Sequence, residues 1–185
     1  MGIAELIIIA VGVSMDAFAV AICKGLSVRK VSPAHVLKTG IWFGGFQALM
    51  PLAGYFLGIS FADFVSEVDH WIAFVLLGII GANMIKESFE AESCEISPDF
   101  SFRTMFAMAV ATSIDALAVG VSFAFLKVDI WMAVLFIGLT TAVFSGAGVL
   151  IGKAFGCRYK SKAEFVGGII LILMGLKILI THLVA

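Results

Sequence analysis

Two aspartates inside long apolar stretches are the residues of this sequence best suited to chemistry. Asp16 lies within Ser14-Met-Asp16-Ala-Phe-Ala-Val20, and Asp115 lies within Ser113-Ile-Asp115-Ala-Leu-Ala-Val119. A charged side chain at the centre of a bilayer costs at least about 2.5–3.5 kcal/mol, and an aspartate is too short to reach the interface as lysine does. That cost can be offset by a proton, which would make each aspartate a hydrogen-bonding packing group, or by a bound cation.

The similarity of the two segments predicts that both carboxylates meet at one site. Two ionised carboxylates that meet repel each other, and a divalent cation would cancel both charges. Hard oxygen ligands suit Mg²⁺, Ca²⁺ and Mn²⁺. Such a site would bind metal and protons in competition, which is the chemical basis of an exchange reaction.

Further oxygen donors are expected close to these carboxylates. Thr112 and Ser122 lie three residues before and seven residues after Asp115, so a helix places all three on one face. Pro51 has no N–H, so the carbonyl of Gln47, four residues earlier, loses its helical partner. Gln47 then offers a side-chain oxygen and a backbone oxygen at one depth, although Pro51 is equally compatible with a simple packing kink.

Three more polar residues complete the predicted site. Ser14 and Ser113 precede the aspartates by two residues, so in a regular helix they point away. They would join the site only where the helix unwinds, and otherwise bond to carbonyls one turn back. Asn83 is a polar contributor or an interhelical hydrogen-bonding group, whereas Glu87 has the position of a solvated charge at a helix end. The predicted metal ligands are Asp16, Asp115, Gln47, Thr112, Ser122, Ser14, Ser113 and Asn83.

The elements that position these residues are membrane-spanning helices. The chain is 62% hydrophobic and 14% charged, against about 45–50% and about 25% in soluble domains. Apolar runs of about 20 residues without period-2 alternation indicate helices that cross a bilayer. We predict an all-α integral membrane protein of six transmembrane helices, with no room for a nucleotide-binding or other soluble domain. The predicted spans are 3–23, 36–59, 71–89, 104–126, 130–152 and 165–184.

The chain also repeats itself. Besides the two aspartate segments, Gly44 matches Gly138 and Gly58 matches Gly152. Because each half has three spans, the second half would enter the membrane in the opposite orientation, giving two inverted-topology three-helix repeats with a site near the midplane. We assign residues 1–89 to the first repeat, 90–102 to an acidic cytoplasmic linker and 103–185 to the second repeat.

The distribution of lysine and arginine predicts the orientation. Of 12 Lys and Arg residues, only Lys127 and Lys177 fall on the side opposite the first, third and fifth loops. Positively charged loops stay in the cytoplasm, so both termini are expected outside it.

Other classes of protein remain open at this stage. An intramembrane serine protease would need a base within the membrane, but His35, His70 and His182 lie at or near helix ends. An aspartyl protease would use two membrane aspartates, and a purely structural subunit would tolerate asparagine at both positions. We favour a transporter that is not an enzyme.

In these segments the sequence resembles the bacterial manganese efflux pump family MntP, within the lysine exporter superfamily. The resemblance covers nearly the whole chain and includes the two aspartate segments, Pro51, the run from His70 to Leu77, and Glu87. It implies export of Mn²⁺ from the cytoplasm across the bacterial inner membrane, driven by exchange for protons or another ion rather than by ATP. Manganese would be the transported substrate, with no cofactor.

Three points stay open beside that resemblance. Gln47 stands where some relatives are expected to have glutamate, so an ionised role at this position is in doubt. The same scaffold could export another small solute, such as Cd²⁺ or an amino acid. Membrane lipid is an expected partner, nucleic acid is not, and the sequence is compatible with a homo-oligomer.

Overall fold

The computed structural model describes residues 2–65, 69–89, 98–155 and 159–184, and these residues form seven α-helices. Most of the predicted acidic linker, 90–97, lies outside the described residues. The helices are α1 Ile3–Ser27, α2 Pro33–Val65, α3 Asp69–Phe89, α4 Phe102–Ala111, α5 Ile114–Phe125, α6 Ile130–Phe155 and α7 Lys160–Val184.

The apolar runs predicted these helices well, with ends that differ by a few residues. α2 begins at Pro33, where a missing N–H has no consequence, and it continues through Pro51 as one helix. α1 begins with a Gly2 N–H that donates to Glu5 Oε2 at 2.9 Å. At the start of α4, the Ser101 side chain accepts from the Thr104 N–H.

The prediction of one continuous helix over 104–126 is wrong. The span predicted over 104–126 is broken into α4 and α5, which are bent by 44° at Thr112 and Ser113. Both hydroxyls donate to carbonyls one turn back, Thr112 Oγ1 to Met108 at 3.0 Å and Ser113 Oγ to Ala109 at 2.6 Å. Hydroxyls bonded in this way compete with the helical pattern and bend helices.

The helices have the lengths and composition of membrane spans. Within the described residues, four helices are long and apolar enough to cross a bilayer, and the bent pair α4 and α5 forms a fifth candidate span. The predicted class, an all-helical protein with several helices able to span a membrane, is confirmed. Six spans, with α2 as the sixth, and the inverted repeat stay predictions. The qualifying helical segments are Ile3–Ser27, His70–Phe89, Ile130–Phe155 and Lys160–Thr181.

The packing joins helices from the two ends of the chain. α1 packs mainly against α6 and α7, α2 against α5 and α6, and α3 against α7 and α5. Two crossings depend on glycine, because a Cβ at Gly152 would meet the Ile22 carbonyl and a Cβ at Gly54 would meet the Leu117 carbonyl. α5, which carries Asp115, packs directly against α3. α1, which carries Asp16, packs against α7, which is also in contact with α3.

The described end of the third connection is held against the helices. The buried Lys24 ammonium donates to the Asp99 carbonyl at 2.5 Å and lies 4.6 Å from the centre of the Phe100 ring. Hydrogen bonds from Ser101 and Thr104 lower the pKa of the exposed Asp99 carboxyl to about 2. Asp99 therefore stays ionised at any physiological pH and accepts hydrogen bonds from Ser101 and Thr104 at the start of α4.

Candidate functional site

A cavity of about 410 Å³ lies between α1, α3 and the broken pair α4 and α5. Its polar lining consists of Asp16 from α1, Asn83 and Glu87 from α3, and Asp115 from α5. The rest of the wall is apolar and includes Ile80, Met84, Ala111, Ile114 and Ala118. The cavity thus gathers carboxylate and amide oxygens inside an otherwise hydrophobic bundle.

The two aspartates that line this cavity occupy different positions in their helices. Asp16 lies near the middle of the unbroken α1, and Asp115 lies in the first turn of α5. The Asp115 Oδ1 accepts the Ala116 N–H at 2.8 Å. In an unbroken helix that N–H would donate to the Thr112 carbonyl, so the Asp115 side chain takes part in the break. The N-terminus of α5 favours negative charge, which suits an ionised carboxylate there.

The electrostatic surroundings of Asp16 are mainly negative. Its carboxyl interacts with those of Asp115, Glu87 and Glu164, and with the Lys160 ammonium. Lys160 is itself paired with Glu164, 3.8 Å from its Oε1, so that ammonium is shared. An excess of carboxylates in an apolar bundle attracts a cation, because ionised carboxylates without a counter-charge are strongly unfavourable there.

Glu87 is the cavity residue that sequence reasoning missed as a site residue. Its position near a helix end is typical of a solvated charge, and its side chain is indeed exposed. The structure also places it on the cavity wall with Asn83, four residues earlier. Residues four apart share a helix face, so the spacing connects Glu87 to the site once Asn83 is known to line it.

The two predicted serines lie apart from the cavity lining. Ser14 Oγ donates to the Ala10 carbonyl at 2.6 Å and lies 2.7 Å from Thr141 Oγ1 of α6. Ser113 Oγ donates to the Ala109 carbonyl at 2.6 Å. Both serines therefore bond one turn back, which is the alternative that the sequence left open, and Ser113 does so even though the helix breaks beside it.

Three other predicted ligands also lie outside the cavity lining. Gln47 is fully buried, and its Nε2 donates to the Val13 carbonyl at 3.1 Å. Thr112 bonds within α4, as described above. Ser122 Oγ donates to the Ala118 carbonyl at 3.1 Å. Of the eight predicted ligands, the cavity brings together Asp16, Asp115 and Asn83.

The donor set is not that of a closed structural metal site. Among the described residues, no group of three His, Cys, Asp or Glu side chains is close enough to hold a metal ion. The cavity instead offers paired aspartates and an amide, with room for water. A hard divalent cation that keeps some of its water ligands fits this set better than a fully enclosed soft metal.

Comparison with known proteins identifies relatives along nearly the whole chain. A family profile described as "Putative manganese efflux pump" matches residues 30–179. A protein named "Putative manganese efflux pump MntP" from Acetivibrio thermocellus is 61% identical over 182 residues, covering 97% of this chain and 91% of that protein. Proteins of the same name from Desulfitobacterium hafniense and Campylobacter jejuni strain RM1221 are 60% and 54% identical, covering 99% and 97% of this chain and 97% and 96% of their own lengths.

No solved structure matches the chain. The profile match and the high identity over almost the full length of several relatives are enough to assign the family. The chain belongs to the MntP family.

Proposed function

We propose that this protein is a secondary transporter that exports Mn²⁺ from the bacterial cytoplasm across the inner membrane. The observation that carries the proposal is the convergence of Asp16 and Asp115 on one cavity inside a helical membrane bundle. The manganese efflux pumps among its relatives supply the identity of the ion. Mn²⁺ is the cargo rather than a resident cofactor, and the protein is a carrier rather than an enzyme.

In this mechanism the two carboxylates bind one dication and cancel its charge. The Asn83 oxygen and water would complete the coordination, since Mn²⁺ accepts carboxylate, carbonyl and water oxygens. Glu87, one helical turn from Asn83, would attract the ion at the exposed edge of the cavity. Protons compete with the metal for the same carboxylates, so acidic pH should weaken metal binding, and export would be driven by exchange for protons or another ion.

The architecture proposed for this transport is two inverted three-helix repeats, 1–89 and 103–185, with α2 as the sixth span. The helix packing supports it. The pairs α1–α6 and α2–α5 exchange under the repeat, as do α1–α7 and α3–α5, and each of these pairs is in contact. Rocking of such repeats around a fixed site is a common route to alternating access.

The decisive test is removal of one charge at a time. Asp16→Asn and Asp115→Asn keep the side-chain volume and one oxygen but leave a single carboxylate against a dication. We expect each variant to abolish Mn²⁺ export, measured as cellular manganese under Mn²⁺ load in a strain without other exporters. The matched control is Asp129→Asn, an exposed aspartate that accepts the Trp131 N–H at the start of α6.

Insertion of every variant is checked by its amount in the membrane fraction. Export at the wild-type rate by both Asp16→Asn and Asp115→Asn would refute the paired-carboxylate mechanism and return both residues to a structural role. Uptake of Mn²⁺, Cd²⁺, Ca²⁺ and Mg²⁺ into inverted vesicles then tests the assignment to manganese. A preference for an ion other than Mn²⁺ would contradict it.

A further inference from the structure

Four polar side chains are fully buried where α1, α2 and α6 meet, away from the cavity that holds the aspartates. Each lies close to the middle of its helix, which is the depth at which transporters bind their ions. Hydrogen bonds from Gln47 to Val13 and between Ser14 and Thr141 connect the three helices. We call this group the neutral oxygen cluster; its side chains are Ser14, Gln47, Thr141 and Ser145.

The hydrogen bonds of the cluster leave it with a surplus of acceptors. The Ser14 hydroxyl donates to the Ala10 carbonyl, so in the 2.7 Å contact the Thr141 hydroxyl must be the donor. The Gln47 amide group donates to the Val13 carbonyl. Gln47 Oε1 and Ser145 Oγ, both buried, have no hydrogen-bond partner among the described residues.

Buried oxygens without a partner destabilise a protein, so their retention in a membrane bundle calls for a ligand. Gln47 Oε1 can only accept, and Thr141 Oγ1 has lone pairs left after its own proton is used. A ligand that satisfies these atoms must present positive charge or hydrogen atoms. None of the four side chains is ionisable near neutral pH, so the cluster cannot itself carry a proton.

We propose that the neutral oxygen cluster binds an alkali-metal cation and that this cation is the one exchanged for Mn²⁺, an inference that rests on the proposed function. Uncharged oxygens can replace part of the hydration shell of a monovalent cation. They cannot neutralise a dication, whose desolvation is far more costly and needs carboxylates. The structure therefore separates the two kinds of ion by chemistry: carboxylates for the metal in one cavity, and neutral oxygens for the coupling ion in another place.

α1 provides the physical link between the two sites. The Val13 carbonyl and the Ser14 hydroxyl belong to the cluster, while Asp16, two residues after Ser14 on the same helix, lines the metal cavity. A cation held by Gln47 and Thr141 would draw α2 and α6 together against α1. Any resulting shift of α1 moves Asp16, so occupancy of one site changes the affinity of the other.

The test uses the stability of the purified full-length protein in detergent, which does not depend on transport. A ligand that binds only the folded state raises the unfolding midpoint in a saturable way. Midpoints are measured in increasing NaCl, with choline chloride making up a constant ionic strength. We expect a saturable rise with Na⁺ that is lost in Gln47→Leu and in the isosteric Thr141→Val. It should be retained in Thr39→Val, where another fully buried threonine of α2 bonds to the His35 carbonyl.

Each other outcome overturns the proposal. Equal midpoints in Na⁺ and choline would mean that the cluster holds water only. A rise that persists in both Gln47→Leu and Thr141→Val would place the ion elsewhere. Should those variants fail to fold, equilibrium binding of radioactive Na⁺ to the wild-type protein decides, and an absence of saturable binding refutes the site.

One further variant separates this inference from the proposed function. Asp16→Asn, which should stop Mn²⁺ transport, should keep the sodium-dependent rise because the cluster is intact. Loss of the rise in Asp16→Asn would move the sodium ion to the aspartate cavity and refute the assignment to the cluster. Failure of the transport assay with the rise intact would instead refute the proposed function alone.

Discussion

The crossing of α2 and α5 gives a sharp test of the packing that positions Asp115. A Cβ at Gly54 would overlap the Leu117 carbonyl of α5, far inside the separation at which two such atoms can rest. The atom in the way is backbone, so rotation of a side chain cannot relieve the overlap, and the two helices must move apart. Gly45 lies on the same helix, and a Cβ there would meet nothing within 4 Å.

The two substitutions should change the free energy of unfolding in opposite directions. Alanine is favoured over glycine within a helix by about 0.8–1 kcal/mol, so Gly45→Ala should be neutral or stabilising by up to about 1 kcal/mol. Overpacking costs about 1–3 kcal/mol and occasionally more, and contact with backbone belongs at the upper end. Gly54→Ala should therefore be destabilising by about 2 kcal/mol after the gain in propensity is subtracted.

Thermal unfolding of both variants in detergent measures the difference. A change of 1 kcal/mol shifts the midpoint by about 2–4 °C in a chain of this size, so Gly54→Ala should unfold about 4–8 °C below the wild type. Mn²⁺ export by Gly54→Ala should also fall, because the separation of α5 from α2 would displace Asp115 from its position in the cavity. A Gly54→Ala midpoint equal to or above that of Gly45→Ala would show that α2 and α5 are not in close contact.

Two further predictions concern the path and orientation of transport. Glu87→Gln should weaken export at limiting Mn²⁺ more than at saturating Mn²⁺, because it lowers attraction at the cavity edge and leaves Asp16 and Asp115 in place; equal losses at both concentrations would contradict a role in attraction. A reporter that is active only in the cytoplasm, fused after Ala185, should be silent because nearly all Lys and Arg lie on the other side. A strong signal from correctly inserted protein would reverse the orientation.

The helices could be predicted from the sequence because their apolar runs are long. The two aspartates could be selected as site residues because each interrupts such a run. Asp16 and Asp115 line one cavity with Asn83, and their role as metal ligands stays a prediction. The direction of the Gln47 side chain could not be predicted from spacing, because it depends on how α2 is rotated against α1. That rotation is fixed by close approaches between helices, such as Gly54 against Leu117. The small residues that permit these approaches can be recognised in the sequence, but the partner that each one meets cannot.

Glu87 shows a different limit of the sequence. Its position near a helix end and beside Lys86 is typical of a solvated charge, and that interpretation describes its exposure correctly. Whether an exposed carboxylate also borders a cavity depends on the neighbouring helices, here α1 and α5. The four-residue spacing from Asn83 was visible in the sequence but decides nothing until the face of α3 that meets those helices is known.

The break between α4 and α5 has a cause that the two aspartate segments reveal when they are compared. Where the first segment has Val13 before its serine, the second has Thr112. In α1 one hydroxyl bonds back to a carbonyl and the helix continues, whereas in the second segment two consecutive hydroxyls do so. The Asp115 carboxylate then takes the Ala116 N–H and stabilises the new helix start.

Val13 has a role of its own in the unbroken segment. Its carbonyl accepts the Gln47 amide from α2, which ties this turn of α1 to a neighbouring helix. In the second segment the corresponding position adds a competing hydroxyl instead, so the same Ser-x-Asp spacing places one aspartate on a continuous helix and the other at a helix N-terminus. The two carboxylates of the cavity therefore differ in electrostatic environment, because only Asp115 faces the positive end of a helix dipole.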